Sequence, residues 1–197
     1  MMMKKIAAIV IAVCLAAGWG IRVYHVNRNL KKSVVKVYDK GQVVPIGKDF
    51  FDKSTEDMDG YTVKVLDSEL VSSKDFLTRY KERSGLLGKD VDYLYVIKIA
   101  VKNEYNMRGE ETGIDLFQYM LQGTDYVLRI NDIAYKLTMP NMDGNLAFSL
   151  RRGKEPMEFI LPFEVMTRSY TTVDHLKADT PKLVVSQYPN KKMLKIK

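Results

Sequence analysis

Catalysis in a protein usually needs an imidazole, a thiolate or a matched pair of carboxylates held within hydrogen-bond reach of a reacting group. The chain has only two histidines, His25 and His175. His25 stands beside an apolar N-terminal run, and His175 follows Val173-Asp174 near a late strand. A lone histidine of this kind is usually a packing or surface residue. No Gly-x-Ser-x-Gly, His-Glu-x-x-His, phosphate-loop or dinucleotide glycine pattern occurs. The single cysteine, Cys14, sits inside the apolar run, which excludes an intrachain disulfide and a thiolate metal site. The carboxylates of Glu56-Asp57-Met58-Asp59-Gly60 and Asp90-Val91-Asp92 could attract a hard cation, but neither set has the spacing of a calcium-binding loop. Acids with a glycine just before a strand are the chemistry of turns. Glu110-Glu111 read as a solvated loop. The expectation is a non-enzymatic protein with no catalytic residue, no cofactor and no metal.

Contact is the chemistry that remains. Twelve tyrosines, seven phenylalanines and eleven methionines are generous for 197 residues. Most fall on alternating rows that a β-core would absorb. The exceptions are Tyr105-Asn106-Met107 and Met139-Pro140-Asn141-Met142, which fall in expected loops. Tyrosine and methionine suit adaptable contact surfaces, and loops on a rigid scaffold are where such surfaces form. Tyr105, Met107, Met139 and Met142 are therefore the candidate partner-contact residues.

The net charge of +7 resembles a nucleic-acid signal until its location is examined. Residues 1–40 carry eight basic side chains against Asp39 alone, and residues 177–197 carry six against Asp179 alone. The stretch between them has seventeen basic and twenty-two acidic residues, so the body is acidic. A nucleic-acid binder needs basic residues spread over a folded face, and none is expected here. Basic flanks beside an apolar run suit anionic lipid headgroups instead.

That run extends from Ile6 to Ile21 without a charge, behind Lys4 and Lys5. As a helix its sixteen residues cover about 24 Å, short of a hydrocarbon core of about 30 Å. Trp19 and Tyr24 at headgroup level, with Arg22 snorkelling, would lengthen the span. These three are the expected membrane-interface residues. An uncleaved anchor is the favoured reading; Ala16-Ala17-Gly18 keeps a cleavable signal open. The positive flank after the run (Arg22, Arg28, Lys31, Lys32) argues for a cytoplasmic body, whereas the architecture that follows argues for export. Lipidation of Cys14 is disfavoured, because Val13 precedes it and the apolar run continues past it.

The elements that would position the loops come next. Residues 25–41 are polar and basic and read as a tether. Beyond them the period is two. Tyr61–Val65 alternates, and Tyr93, Tyr95, Ile97, Ile99 and Val101 share one face opposite Lys98 and Lys102. Leu116–Leu121 and Tyr126–Ile130 flank a hairpin turn at Gln122-Gly123-Thr124-Asp125. Met157, Phe159, Leu161, Phe163 and Val165 form another inward row, with Pro162 marking an edge or bulge. Leu183–Gln187 and Met193–Ile196 close the chain around Tyr188-Pro189-Asn190. Only Ser73–Glu82 breaks the rhythm, as one short amphipathic helix. Three parts are predicted: a signal peptide or membrane anchor at 1–24, the basic tether at 25–41 and a two-sheet all-β sandwich at 42–197.

Several phrases carry a family resemblance. They are Met58-Asp59-Gly60-Tyr61-Thr62-Val63, Tyr95 through Glu104, Gly113-Ile114-Asp115-Leu116-Phe117-Gln118-Tyr119 and Met157-Glu158-Phe159-Ile160-Leu161-Pro162-Phe163, with Leu150…Gly153 ahead of the last. Over about residues 40–190 the chain resembles the domain-of-unknown-function 5028 group of Gram-positive bacteria. It is more distantly similar to immunoglobulin-like exported accessory domains of lipoproteins. The resemblance implies an immunoglobulin-like sandwich and an extracytoplasmic location, and it carries no activity and no binding residue. The functional expectation is a cell-envelope accessory or binding module held outside the membrane, contacting lipid and a protein, peptide or wall component. The alternative is a structural subunit of a membrane complex such as a transporter, for which Ala7, Ala8, Ala12, Ala16 and Ala17 supply small residues for helix packing.

Overall fold

The computed structural model describes residues 2–28, 33–107, 113–167 and 172–197. It divides after Ser33 into an N-terminal helical unit and a folded body from Val34 to Lys197. Helix α1 covers Met2–Arg28, so the helix continues past the uncharged run that ends at Ile21. Within Lys5–Arg28 an 18-residue window has mean hydropathy 2.2 with none of it buried, and the helix is long and apolar enough to cross a membrane. A signal sequence has the same character. Twenty-four residues at about 1.5 Å each give about 36 Å, the sixteen uncharged ones lying between charged ends. His25 therefore lies in the helix, edge-on to Tyr24, and not in a tether.

The tether is corrected at its other end as well. Residues Val35–Tyr38 form strand β1, which pairs in parallel with β11 (Lys191–Lys195). The body thus begins eight residues earlier than the sequence suggested. Alternation in Val-Lys-Val-Tyr is too short to announce a strand, and only its distant partner makes it one. Lys31 and Lys32 lie outside the described residues.

Two main sheets share one core. The first has the order β1-β11-β10-β6-β7, with β6 at Met120–Gln122, β7 at Val127–Leu128 and β10 at Lys182–Ser186. The second has the order β2-β3-β4-β9, with β2 at Val44–Pro45, β3 at Tyr61–Ser72, β4 at Tyr93–Asn103 and β9 at Met157–Val165. A small third ladder joins β5 (Ile114–Asp115) to β8 (Ala147–Phe148). The predicted inward rows are buried: Ile97 and Ile99 of β4 face Leu161 and Phe159 of β9, all fully enclosed. Pro162 lies on an edge strand, as its missing N–H requires, and β9 is covered there by Asn131, whose N–H donates to the Pro162 carbonyl.

The fold is mostly β, but it contains more helix than one. Among the described residues α2 (Ser73–Arg79) is joined by α3 (Asp132–Thr138) and α4 (Val173–Ala178). Each is capped by a side chain on the residue before it: Ser72, Asn131 and Thr172. Leu116–Gln118, expected to begin a strand, is a 3-10 turn, because the Asp115 carboxylate accepts from Phe117 N–H and closes the backbone locally. β4 also buries part of its second face. Leu94 packs with Phe76, Leu77 and Leu87 in a second cluster under α2.

Candidate functional site

A cleft of about 800 Å³ opens at one end of the body, lined by the segment 47–59, by Tyr105-Asn106-Met107 and by Pro189. The segment enters from β2, and Asp49 fixes it. That carboxylate accepts from Lys192 Nζ at 2.8 Å, from Asn190 Nδ2 at 3.0 Å and from Asn190 N–H at 3.2 Å. Lys192 also donates to the carbonyls of Pro45 and Ile46. Both partners are buried, so Lys192 belongs to the interior and not to a basic C-terminal surface. Phe50 then exchanges backbone bonds with Tyr188, which ties the cleft floor to the β10–β11 turn.

The acidic cluster follows, and its members differ in environment. Glu56 is 6% exposed and forms a bridge with Gly113. Its Oε2 accepts from the N–H groups of Phe51 (2.7 Å) and Asp52 (3.3 Å), whereas Oε1 is buried with no hydrogen-bond partner. Burial, more than the nearby charges of Asp115 and Asp52, pushes the Glu56 carboxyl up to about 7, against the pull of the two amides. The Tyr119 hydroxyl is also buried and unpartnered, and burial together with Glu56 and Asp115 raises it well above the ordinary tyrosine value. Asp52 has the opposite fate: Ser54 N–H and Oγ–H hold its carboxyl below the usual range.

The opposite wall is a turn at the end of β4. Asn103 Oδ1 accepts from Asn106 N–H at 2.7 Å, and Asn103 Nδ2 donates to the carbonyls of Asn106 and Leu150. Asn106 Nδ2 in turn donates to the carbonyls of Asp57 (2.8 Å) and Asp59 (2.6 Å). Two buried asparagines thus clamp the 105–107 turn onto the acidic segment. Gly60 permits this approach: its φ is +96°, and a Cβ there would stand 2.6 Å from the Asn106 nitrogen. On this clamp Tyr105 and Met107 project outward, 61% and 79% exposed, and the Tyr105 hydroxyl donates to Asp59 Oδ1 at 3.0 Å.

The structure therefore brings together two features that the sequence kept apart, the Glu56–Gly60 acids and the Tyr105/Met107 loop. Met139 and Met142 are not part of this site. Met139 caps α3, Met142 ends a 3-10 turn, and both are half-buried against the main core. The apolar face of α3 packs on β9 and draws the following turn inward, which the loop-forming neighbours Pro140 and Asn141 did not indicate. Trp19, Arg22 and Tyr24 are exposed on α1. Asp92 accepts from Thr167 N–H and Oγ–H, a structural use, while Glu110 and Glu111 lie outside the described residues. Among the described residues no group of three or more His, Cys, Asp or Glu is placed to hold a metal ion. The ring of His175 meets Asp125 (3.0 Å) and the edge of Tyr126, which fastens α4 to the β6–β7 hairpin. Sequence reasoning missed Phe50, Glu56 as a buried group, and the two asparagines. The pair Asn103…Asn106 just past a long strand was the available signal for the clamp.

The family described as Domain of unknown function (DUF5028) matches residues 35–192. The chain belongs to this family. No curated protein and no solved structure matches it. The match begins at the first residue of β1, in agreement with the observed start of the folded body.

Proposed function

We propose that the chain is a membrane-held binding module of the cell envelope, with its body outside the membrane and the cleft as the place where a protein or peptide partner docks. One observation carries this reading: a tyrosine and a methionine stand exposed on a turn clamped at both ends, directly beside carboxylates and an aromatic floor. The clamp preorders the turn that carries them, which lowers the entropy cost of receiving a partner. The rim carries Asp57 and Asp59 beside Lys48 and Lys53, which favours a partner segment that pairs apolar side chains with polar or charged ones. Among the described residues that line the cleft none forms a nucleophile–base pair, which is in keeping with contact without catalysis. Helix α1 supplies the anchor, and the family's matched region leaves that helix out.

The test is a photo-crosslinking residue placed at Met107 in growing cells, beside a second placed at Ala12 in α1. A discrete adduct from position 107 that Tyr105→Ala abolishes is the expected result. Adducts from position 12 alone would overturn the cleft reading in favour of a subunit packed through its helix. Digestion by a non-permeant protease on wall-free cells should remove the body while leaving cytoplasmic markers intact. Protection until lysis would reverse the orientation.

A further inference from the structure

The two main sheets have different outer faces. In the β2-β3-β4-β9 sheet the outward lysines are interleaved with acids; Lys98, for example, pairs with Glu158. The other sheet is unlike this. Its register places Tyr38, Leu194, Ile196, Leu183, Val185, Leu121 and Leu128 in the main core, so the alternate positions face outward. Those outward positions hold Val35 and Val37 on β1, Lys191, Met193 and Lys195 on β11, and Lys182 and Val184 on β10. No outward position on the five strands is a carboxylate. The nearest acid in the chain is Asp39, just past β1, which pairs with Lys195 at 2.7 Å.

The apolar part of this face is graded. Lys191 Nζ donates to Gln122 Oε1, two strands away, so its stem crosses the sheet, and Val184 and Met193 are buried there. At the β1 edge the cover ends, and Val35 and Val37 are 59% and 48% exposed. A lysine stem that lies on apolar surface and ends in an ammonium at its rim is suited to a boundary between hydrocarbon and charge. β1 is also the first strand after α1 in the chain.

We propose that the outer face of the β1-β11-β10 sheet docks on anionic lipid headgroups, with Lys182, Lys191 and Lys195 meeting the phosphates and Val35 and Val37 at the apolar boundary. The charge complementarity is one-sided in a way the other sheet does not reproduce. Docking would hold the body flat on the bilayer. This inference rests on α1 being a membrane anchor, and its test separates the two.

The full chain, with Cys14→Ser and a single new cysteine at Val37→Cys carrying an environment-sensitive dye, is reconstituted into vesicles bearing a headgroup-linked quencher. One set is phosphatidylcholine, the other phosphatidylcholine mixed with phosphatidylglycerol. A matched label at Lys64→Cys reports the opposite sheet. Flotation with both vesicle types establishes anchoring; failure to float would overturn the anchor and the docking together. Given flotation, position 37 should be quenched in the anionic vesicles and not in the neutral ones, and position 64 in neither. Each lysine replaced by glutamine should lower the docked-to-free ratio about fivefold, and all three together about a hundredfold. High salt should release the unsubstituted chain in the same way, since the attraction dies within a Debye length. No quenching at position 37, or quenching indifferent to lipid charge and salt, overturns the proposal. So does a dye response that follows protein density in neutral vesicles, which would mean that the face packs against a second copy of the chain.

Discussion

Glu56→Gln isolates the cost of the buried carboxyl beneath the cleft. The group has a folded-state value of about 7 against an ordinary 4.5, raised mainly by burial. Between those two pH values the folded protein keeps a proton that the unfolded chain releases. The contribution of this carboxyl to stability is therefore greatest below pH 4.5, falls as the pH rises through the window and levels off above 7. The gap of about 2.5 pH units is worth about 3 kcal/mol at about 1.4 kcal/mol per unit. A glutamine retains an oxygen for the Phe51 and Asp52 N–H groups and carries no charge, so it should lose the slope. The substituted protein should match wild type below pH 4.5 and exceed it by up to about 3 kcal/mol above pH 7. Denaturant unfolding followed by circular dichroism, repeated across the pH range on both proteins, gives the difference directly and cancels every other titrating group. A difference that does not change with pH would refute the reasoning. A wild type that gains on the variant as pH rises would show Glu56 ionised and stabilising, the reverse of what its unpartnered Oε1 implies.

Further substitutions probe the frame around the site. Ile97→Ala, in a fully enclosed central strand, should cost about 2–5 kcal/mol in the same melts, while Lys98→Ala on the outward face, losing one exposed pair with Glu158, should stay within about 0.5 kcal/mol. Lys192→Ala should cost about 3–5 kcal/mol, because it leaves Asp49 buried without its countercharge. Gly60→Ala should cost at least about 1–2 kcal/mol from its positive φ alone. It should also weaken crosslinking from Met107, since the added carbon displaces the Asn106 turn.

The alternating rows were legible because burial on a sheet has a period of two that any single strand displays by itself. Ile97, Ile99, Phe159 and Leu161 could be placed from spacing, and the register then paired them. The hairpin at 122–125 was legible for the same reason: turn chemistry is confined to a few adjacent residues. Three features escaped. Val35–Tyr38 is a strand only because β11 runs alongside it, some 156 residues later in the chain. α3 and α4 are only seven and six residues long, too short for helical periodicity to outweigh the surrounding strand pattern. Leu116–Gln118 turned away from strand geometry through one carboxylate, Asp115.

By itself the sequence determined that there is an apolar N-terminal helix and a β-rich body behind it, since both follow from residue type and local period. Only the tertiary structure decided that Glu56 and Tyr105 share a cleft, that Lys192 is an interior charge and that three lysines stand on one sheet face without a carboxylate among them. Those outcomes depend on which strands become neighbours. Neighbour choice comes from burying the whole set of apolar rows at once, a many-body competition that no window along the chain contains.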